Sequence, residues 1–381
     1  MSGLYIHIPF CKTRCIYCGF YSTTSENLRK EYIDALCREL YERKQYIKDN
    51  VTTIYIGGGT PSQLSFDELD TIFDTIYQNY HIENPDGDTA PEITMECNPD
   101  DINADFASYI RSSPINRISM GAQSFSNDLL KFIHRRHTSE QISHAVNFIR
   151  NANISNISID LMFGFPNESL DVWHNDLLHC IQLNVEHISA YSLMYEENTP
   201  LYKMLKEGKI KECSEDTYLY MYNDLIDTLS QSGYEHYEIS NFAKPGYRSR
   251  HNSNYWKNVP YLGIGASAHS FNLKERQWNV SNVVKYINSI NNGTIPAEIE
   301  ELTIDSHFDD IVMTSLRTCD GIDLKYIKNC FGDDYLKYLL KEANRHIKNG
   351  LLTHDKEGGR LILTRKGIFV SDDITADLMH V

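Results

Sequence analysis

Six short runs rich in β-branched and aromatic residues, at 4–8, 53–56, 92–96, 117–121, 157–162 and 187–193, alternate with segments of helical periodicity such as 31–44 and 66–80. That alternation is the strongest constraint on the fold. Antiparallel neighbours need only a tight turn, whereas parallel strands need a long crossover, so six strand–helix units predict an α/β chain with a parallel sheet. The sheet is either open and doubly wound or a barrel, complete or partial. In all these forms, function collects at the carboxyl ends of the strands.

The segments at those ends are polar and glycine-rich: residues 9–18 after the first strand, GGGTPS (57–62), ECNPD (96–100), GAQSF (121–125) and DLMFGFP (160–166). One such cluster is only a turn. Five at one rim predict a shared site.

Beyond 193 the pattern weakens, and 233–271, dense in Tyr, His, Asn and Gly, reads as loop and irregular strand. Regularity returns near 301, with helices expected at 305–316, 324–330 and 334–348, a hairpin turning at 357–359 and a last helix from 366. The chain thus divides into 1–195, 196–300 and 301–381. Three helices and a hairpin resemble a winged-helix module. Yet 301–381 carries 11 Lys and Arg against 14 Asp and Glu, and the whole chain has a formal net charge of −16, a balance that opposes nucleic-acid binding and favours docking or a lid.

No run of ~18 apolar residues offers a membrane span, and MSGLYIHIPF lacks the basic start and apolar stretch of a signal peptide, so a cytoplasmic protein with at most peripheral membrane contact is expected. Nine cysteines in such a chain read as thiols or metal ligands rather than a disulfide framework. Cys37, Cys97, Cys180, Cys213, Cys319 and Cys330 are scattered and read as buried or incidental. Cys11, Cys15 and Cys18 are not scattered: CKTRCIYC places three thiolates on one loop. A zinc ion would need a fourth ligand, for which His7 is the candidate; a 4Fe–4S cluster with three thiolates keeps one iron open for a chelating small molecule.

CKTRCIYC resembles the C-x3-C-x2-C motif of radical S-adenosylmethionine (SAM) proteins, in which the open iron holds SAM. YIHIPFC, IYIGGGTPS, EITMECNPD, RISMGAQSF, IDLMFGFP and YEISNFAKPG are similar, in the same order, to the family of oxygen-independent coproporphyrinogen III oxidases (HemN) and their relatives, heme chaperones of the HemW type. The resemblance implies a partial (β/α)6 radical SAM barrel with a C-terminal winged-helix-like domain. It implies that Cys11, Cys15 and Cys18 ligate the cluster and that Gly57, Gly58, Gly59 and Thr60 receive the methionyl end of SAM, where a following helix N-terminus favours its carboxylate. Glu96 and Gln123 would bond SAM, Arg135 would pair with a carboxylate, with Arg136 as its adjacent competitor, Asp160 would meet a ribose hydroxyl, and Tyr5 and Tyr17 would wall the pocket.

Two departures separate the branches. The oxidases carry a further cysteine two residues after the third, where this chain has Phe20, and an N-terminal extension, where this chain has ten residues before Cys11. Both features resemble the chaperones, as does HNSNYW (251–256), whose His251, Tyr255 and Trp256 the resemblance assigns to heme. A histidine can ligate heme iron and an aromatic ring can stack on a porphyrin, although His251 and Trp256 can equally organise an aromatic loop. The expected function is therefore heme binding and delivery to apo-hemoproteins. The alternatives are an oxidase that decarboxylates coproporphyrinogen III with a SAM-derived radical and, from another class, a winged-helix transcription regulator.

Overall fold

The computed structural model describes residues 1–83 and 90–380. Each of the six runs is a strand: β1 (Ser2–Ile8), β2 (Val51–Gly58), β3 (Glu92–Cys97), β4 (Arg117–Gln123), β5 (Asn156–Phe163) and β6 (His187–Ser192). They lie side by side in chain order, all parallel. Because side chains alternate across a strand, one set, Leu4, Ile6, Ile54, Ile56, Ile93, Ile118, Met120, Ile159 and Ile188, forms the core with helices such as Arg29–Glu42 and Phe66–Asn79. The opposite set is polar: Tyr5, His7, Thr53, Tyr55, Thr94, Glu96, Arg117, Ser119, Ser158, Asp160, His187 and Ser189. This polar inner face is the floor of the site.

β1 and β6 do not pair with each other, so the six-strand core is a partial barrel. On one side β6 continues into β7 (Glu235–Glu238) and β8 (Asn241–Ala243). On the other, β1 pairs in parallel with β9 (Tyr261–Ile264), which leads into antiparallel β10 (His269–Phe271), β11 (Glu275–Asn279) and β12 (Ala297–Glu301). The result is one twelve-stranded sheet. Glu39, fully buried on the first helix, ties the added strands down: it accepts from Gly265 N–H at 2.8 Å, Asn279 Nδ2 at 2.8 Å and the Tyr286 hydroxyl at 2.6 Å.

The stretch 233–271, expected as loop and irregular strand, instead holds four strands of three or four residues and the helix Arg250–Trp256. Strands that short display no readable period, and the helix start is fixed from afar. Glu92 Oε2 accepts from Arg250 N–H at 3.0 Å and Oε1 from His251 N–H at 2.9 Å, meeting free donors of the helix N-terminus with a carboxylate 158 and 159 residues away.

The C-terminal part has its own core around Phe308, Ile311, Ile327 and Leu339. Helices Ile304–Leu316, Leu324–Phe331 and Asp333–Lys348 are followed by the hairpin β14 (Leu352–Asp355) and β15 (Arg360–Leu363), with β13 (Ile322–Asp323) pairing to β15, a winged-helix-like arrangement. The expected last helix is two, Arg365–Ile368 and Ser371–Leu378. Arg317 fixes this part to the sheet by donating from Nη2 to Glu238 Oε1 at 2.8 Å. No helix among the described residues is long and apolar enough to cross a membrane.

Candidate functional site

The loop after β1 carries all three cysteines of the motif. It is pinned at both ends by backbone bonds, Cys11 N–H to Thr23 C=O at 2.9 Å and Leu201 N–H to Ile16 C=O at 3.0 Å. Burial pushes the Cys11 and Cys18 thiols up, so metal binding there must displace protons. Among the described residues no three His, Cys, Asp or Glu side chains close around a single ion. A cube-shaped cluster asks for something different, three thiolates on three separate irons. His7 does not serve as a zinc ligand in this arrangement. Its Nε2 lies 3.1 Å from Tyr21 C=O, which can only accept, so Nε2 carries the proton and Nδ1 accepts from the Tyr5 hydroxyl at 3.0 Å. Burial holds its pKa down at about 4.

The GGGT segment packs directly beneath this loop, and its backbone donors are already used. Gly58 N–H bonds Glu96 Oε2 at 3.0 Å, Gly59 N–H bonds Ile8 C=O at 2.7 Å, Thr60 N–H bonds Phe10 C=O at 2.8 Å, and the Thr60 hydroxyl meets Cys11 Sγ at 3.4 Å. The glycines are there for close approach: Gly58 has φ +110° and a Cβ would fall 2.5 Å from the His7 ring, while one on Gly59 would fall 2.8 Å from the carbonyl oxygens of Ile8 and Phe10. No helix N-terminus follows at once, contrary to expectation. Pro61–Gln63 is a single 3-10 turn, and the helix proper starts at Phe66 behind a Ser65–Glu68 capping box.

On the inner face Glu96 accepts from the Tyr55 hydroxyl at 2.8 Å, and burial pushes its pKa up to about 7, the Tyr55 bond offsetting part of the rise. Asp160 lies in register between Gly121 and Ser189; burial raises it to about 6, against hydrogen bonds from Ser189 and Ser119. Gln123 stands at a register shift with φ 67°, and a Cβ on Gly121 would meet both its Nε2 and the Arg135 guanidinium at 2.8 Å, so the two side chains converge. Arg135 donates to Gly121 C=O and, at 2.8 Å, to Asn98 Oδ1; its Nη1 lies 3.6 Å from Cys15 Sγ, and its buried Nε has no partner among the described residues. Arg136 is committed elsewhere, to Asp100 at 2.9 Å and Asp101 at 3.1 Å. Tyr17 lies against Cys15 and Arg135. Three thiols, a cation with an unmet donor, a free amide and two carboxylates at one rim form a donor set suited to a cluster and an amino-acid-bearing ligand.

The residues assigned to heme lie elsewhere. His251 sits at the amino-terminal end of the barrel, 1% exposed, with Nδ1 2.9 Å from Thr53 Oγ1 and Nε2 2.8 Å from the Tyr255 hydroxyl. Both nitrogens are taken, and burial, with the charge of Arg117 behind it, lowers its pKa to about 3. As placed, His251 organises the aromatic segment and has no lone pair free for iron. Tyr255 and Trp256, by contrast, line a cavity.

Sequence reading passed over Tyr55, Asn98 and Arg117. Arg117 is 1% exposed, and its charge acts on Glu96, Asp160, His187 and His251 alike. The signal was the strand alternation, which puts 5, 55, 94, 96, 117, 119, 158 and 160 on one face.

Comparison with known proteins agrees with this geometry. Residues 5–178 match the model of the radical SAM superfamily, and 307–370 that of the HemN C-terminal domain. The heme chaperone HemW of Lactococcus lactis is 33% identical over 374 residues, covering 98% of this chain and 96% of that one. HemW of Bacillus subtilis is 32% identical over 378 residues, with 98% of each covered. The chain belongs to the HemW family. Membership in the radical SAM superfamily brings a 4Fe–4S cluster and SAM as cofactors, and the donors above fit both. In fold, the chain is similar to coproporphyrinogen III oxidase (HemN) from Escherichia coli, with a TM-score of 0.85, 24% identity, and 100% of this chain and 90% of that one covered.

Proposed function

We propose that this protein binds heme and delivers it to apo-hemoproteins. The observation that carries the reading is the match to HemW heme chaperones along 98% of the chain, leaving no large segment of the chain unexplained. Phe20 supports it, because the oxidases resemble this chain yet carry a further cysteine there. In this reading Cys11, Cys15 and Cys18 hold the cluster. When bound, the cluster offers one open iron on which SAM is chelated. Arg135 meets a carboxylate of the ligand, Gln123 and Glu96 its polar groups, Asp160 a ribose hydroxyl, and Tyr5 and Tyr17 exclude water on either side. Gly57, Gly58, Gly59 and Thr60 act chiefly by letting β2 pack against the cysteine loop. The working setting is the cytoplasm with peripheral membrane contact, and the segment 301–381 serves docking.

Anaerobic incubation of the reconstituted protein with SAM, dithionite and coproporphyrinogen III, beside a heme titration, tests the reading. Heme binding without protoporphyrinogen is expected. Product formation would replace the chaperone by the oxidase.

A further inference from the structure

Between the inner face of the added strands and the C-terminal segment lies a cavity of about 500 Å³. That is within the ~300–1,000 Å³ of ligand and cofactor pockets. Tyr5, Tyr261 and Phe271 form one wall, and Trp256 and Met313 face them. The lip is Phe20, two residues beyond Cys18 and 72% exposed, a costly place for a bare aromatic ring unless something covers it. The walls are therefore flat, apolar and aromatic, and they suit a planar macrocycle.

Of the polar groups in that lining, which also include His7 and Asp310, three specify the ligand. The imidazole of His269, an exposed residue on the same face of β10 as Phe271, makes no hydrogen bond among the described residues and lies against the Trp278 ring, with centroids 6.3 Å apart. Trp256 Nε1 is buried and has no acceptor among the described residues, so its N–H calls for a carboxylate or carbonyl oxygen. Arg276 adds a cation at the same wall, paired with Asp310 at 2.8 Å. A free imidazole at the rim, with an unmet donor and a guanidinium along an aromatic slot, matches an iron porphyrin bearing propionates.

The geometry points to this cavity as the heme site, with His269 rather than His251 supplying the iron ligand and Trp256 and Arg276 receiving the propionates. The inference rests on the heme-chaperone reading and deepens it. Partial burial lowers the His269 pKa, which keeps the imidazole neutral and able to donate its lone pair near neutral pH. A second hollow, about 760 Å³, is bordered by Lys203 and Lys206, and no histidine lines it.

Hemin is titrated into reconstituted wild-type protein, H269A, H269M and H251A, and followed by Soret difference spectra, with circular dichroism as the folding check. H269A should bind at least about tenfold more weakly. H269M should shift the Soret band, a change of ligand that a structural role cannot mimic, whereas folded H251A, which keeps the iron ligand, should keep the wild-type Soret position. Wild-type binding with an unaltered H269A and H269M overturns this site and leaves the heme reading standing. No binding by wild type overturns both.

Discussion

Arg135 holds its guanidinium 3.6 Å from the Cys15 thiol, while Arg136, the next residue, turns away to pair with Asp100 and Asp101. The two arginines should therefore fail differently. R135A should weaken SAM binding to the reconstituted protein by about tenfold or more, since a charge-assisted pair is lost. R136A should leave SAM binding intact and lower stability by about 1–3 kcal/mol, because Asp100 loses its paired guanidinium and Asp101 one of its donors. Calorimetric SAM titration and thermal melts separate the outcomes.

Gly58 and Gly233 both have positive φ, at 110° and 87°, but only the first is crowded. Substituting Ala at Gly233 meets open space and should cost about 1–2 kcal/mol in backbone strain alone. Substituting Ala at Gly58 adds a collision with the His7 ring, so its melting temperature should fall at least twice as far.

Glu96 has its pKa raised from 4.5 to about 7 by burial. Its contribution is thus fully present below 4.5 and is lost as pH rises through 7, because the unfolded chain ionises first. E96Q removes that loss. In cofactor-free protein, E96Q should match wild type at pH 4 and melt progressively higher than wild type up to pH 7 or 8; parallel curves at all pH values contradict the buried, neutral carboxyl. The buried histidines act oppositely, His251 titrating near 3 in the fold, so both proteins lose stability on acidification below 6.5.

Glu92 accepts the first two N–H groups of the helix carrying Tyr255 and Trp256. In E92Q one of those donors faces an amide that cannot accept from it. Hydrogen exchange at 250–256 should accelerate by about tenfold, with the six core strands protected as before. Uniform exchange would show that the helix is held by something else.

Much of this was legible in the sequence because strand alternation and local motifs carry their own geometry. Six strands, the cysteine loop and the rim residues from Glu96 to Asp160 all stand where the pattern put them. The helix Arg250–Trp256 was not legible, since it depends on Glu92, and neither were β9 to β12, whose edge pairing with β1 is specified by contacts such as Glu39 with Gly265. His251 shows the same limit from the other side. Its motif was visible, but only the fold reveals that Thr53 and Tyr255 occupy both nitrogens.

A protein that gives up heme to others must do so to a recipient in the test tube. Heme-loaded protein is mixed with an excess of an apo-hemoprotein and the recipient's Soret spectrum is followed, with free heme at the same concentration as the reference. The recipient's holo spectrum should appear as the donor's declines, through contact and faster than the donor releases heme to a scavenger. Heme that stays with the donor, or leaves only at its scavenger-limited rate, would contradict heme delivery.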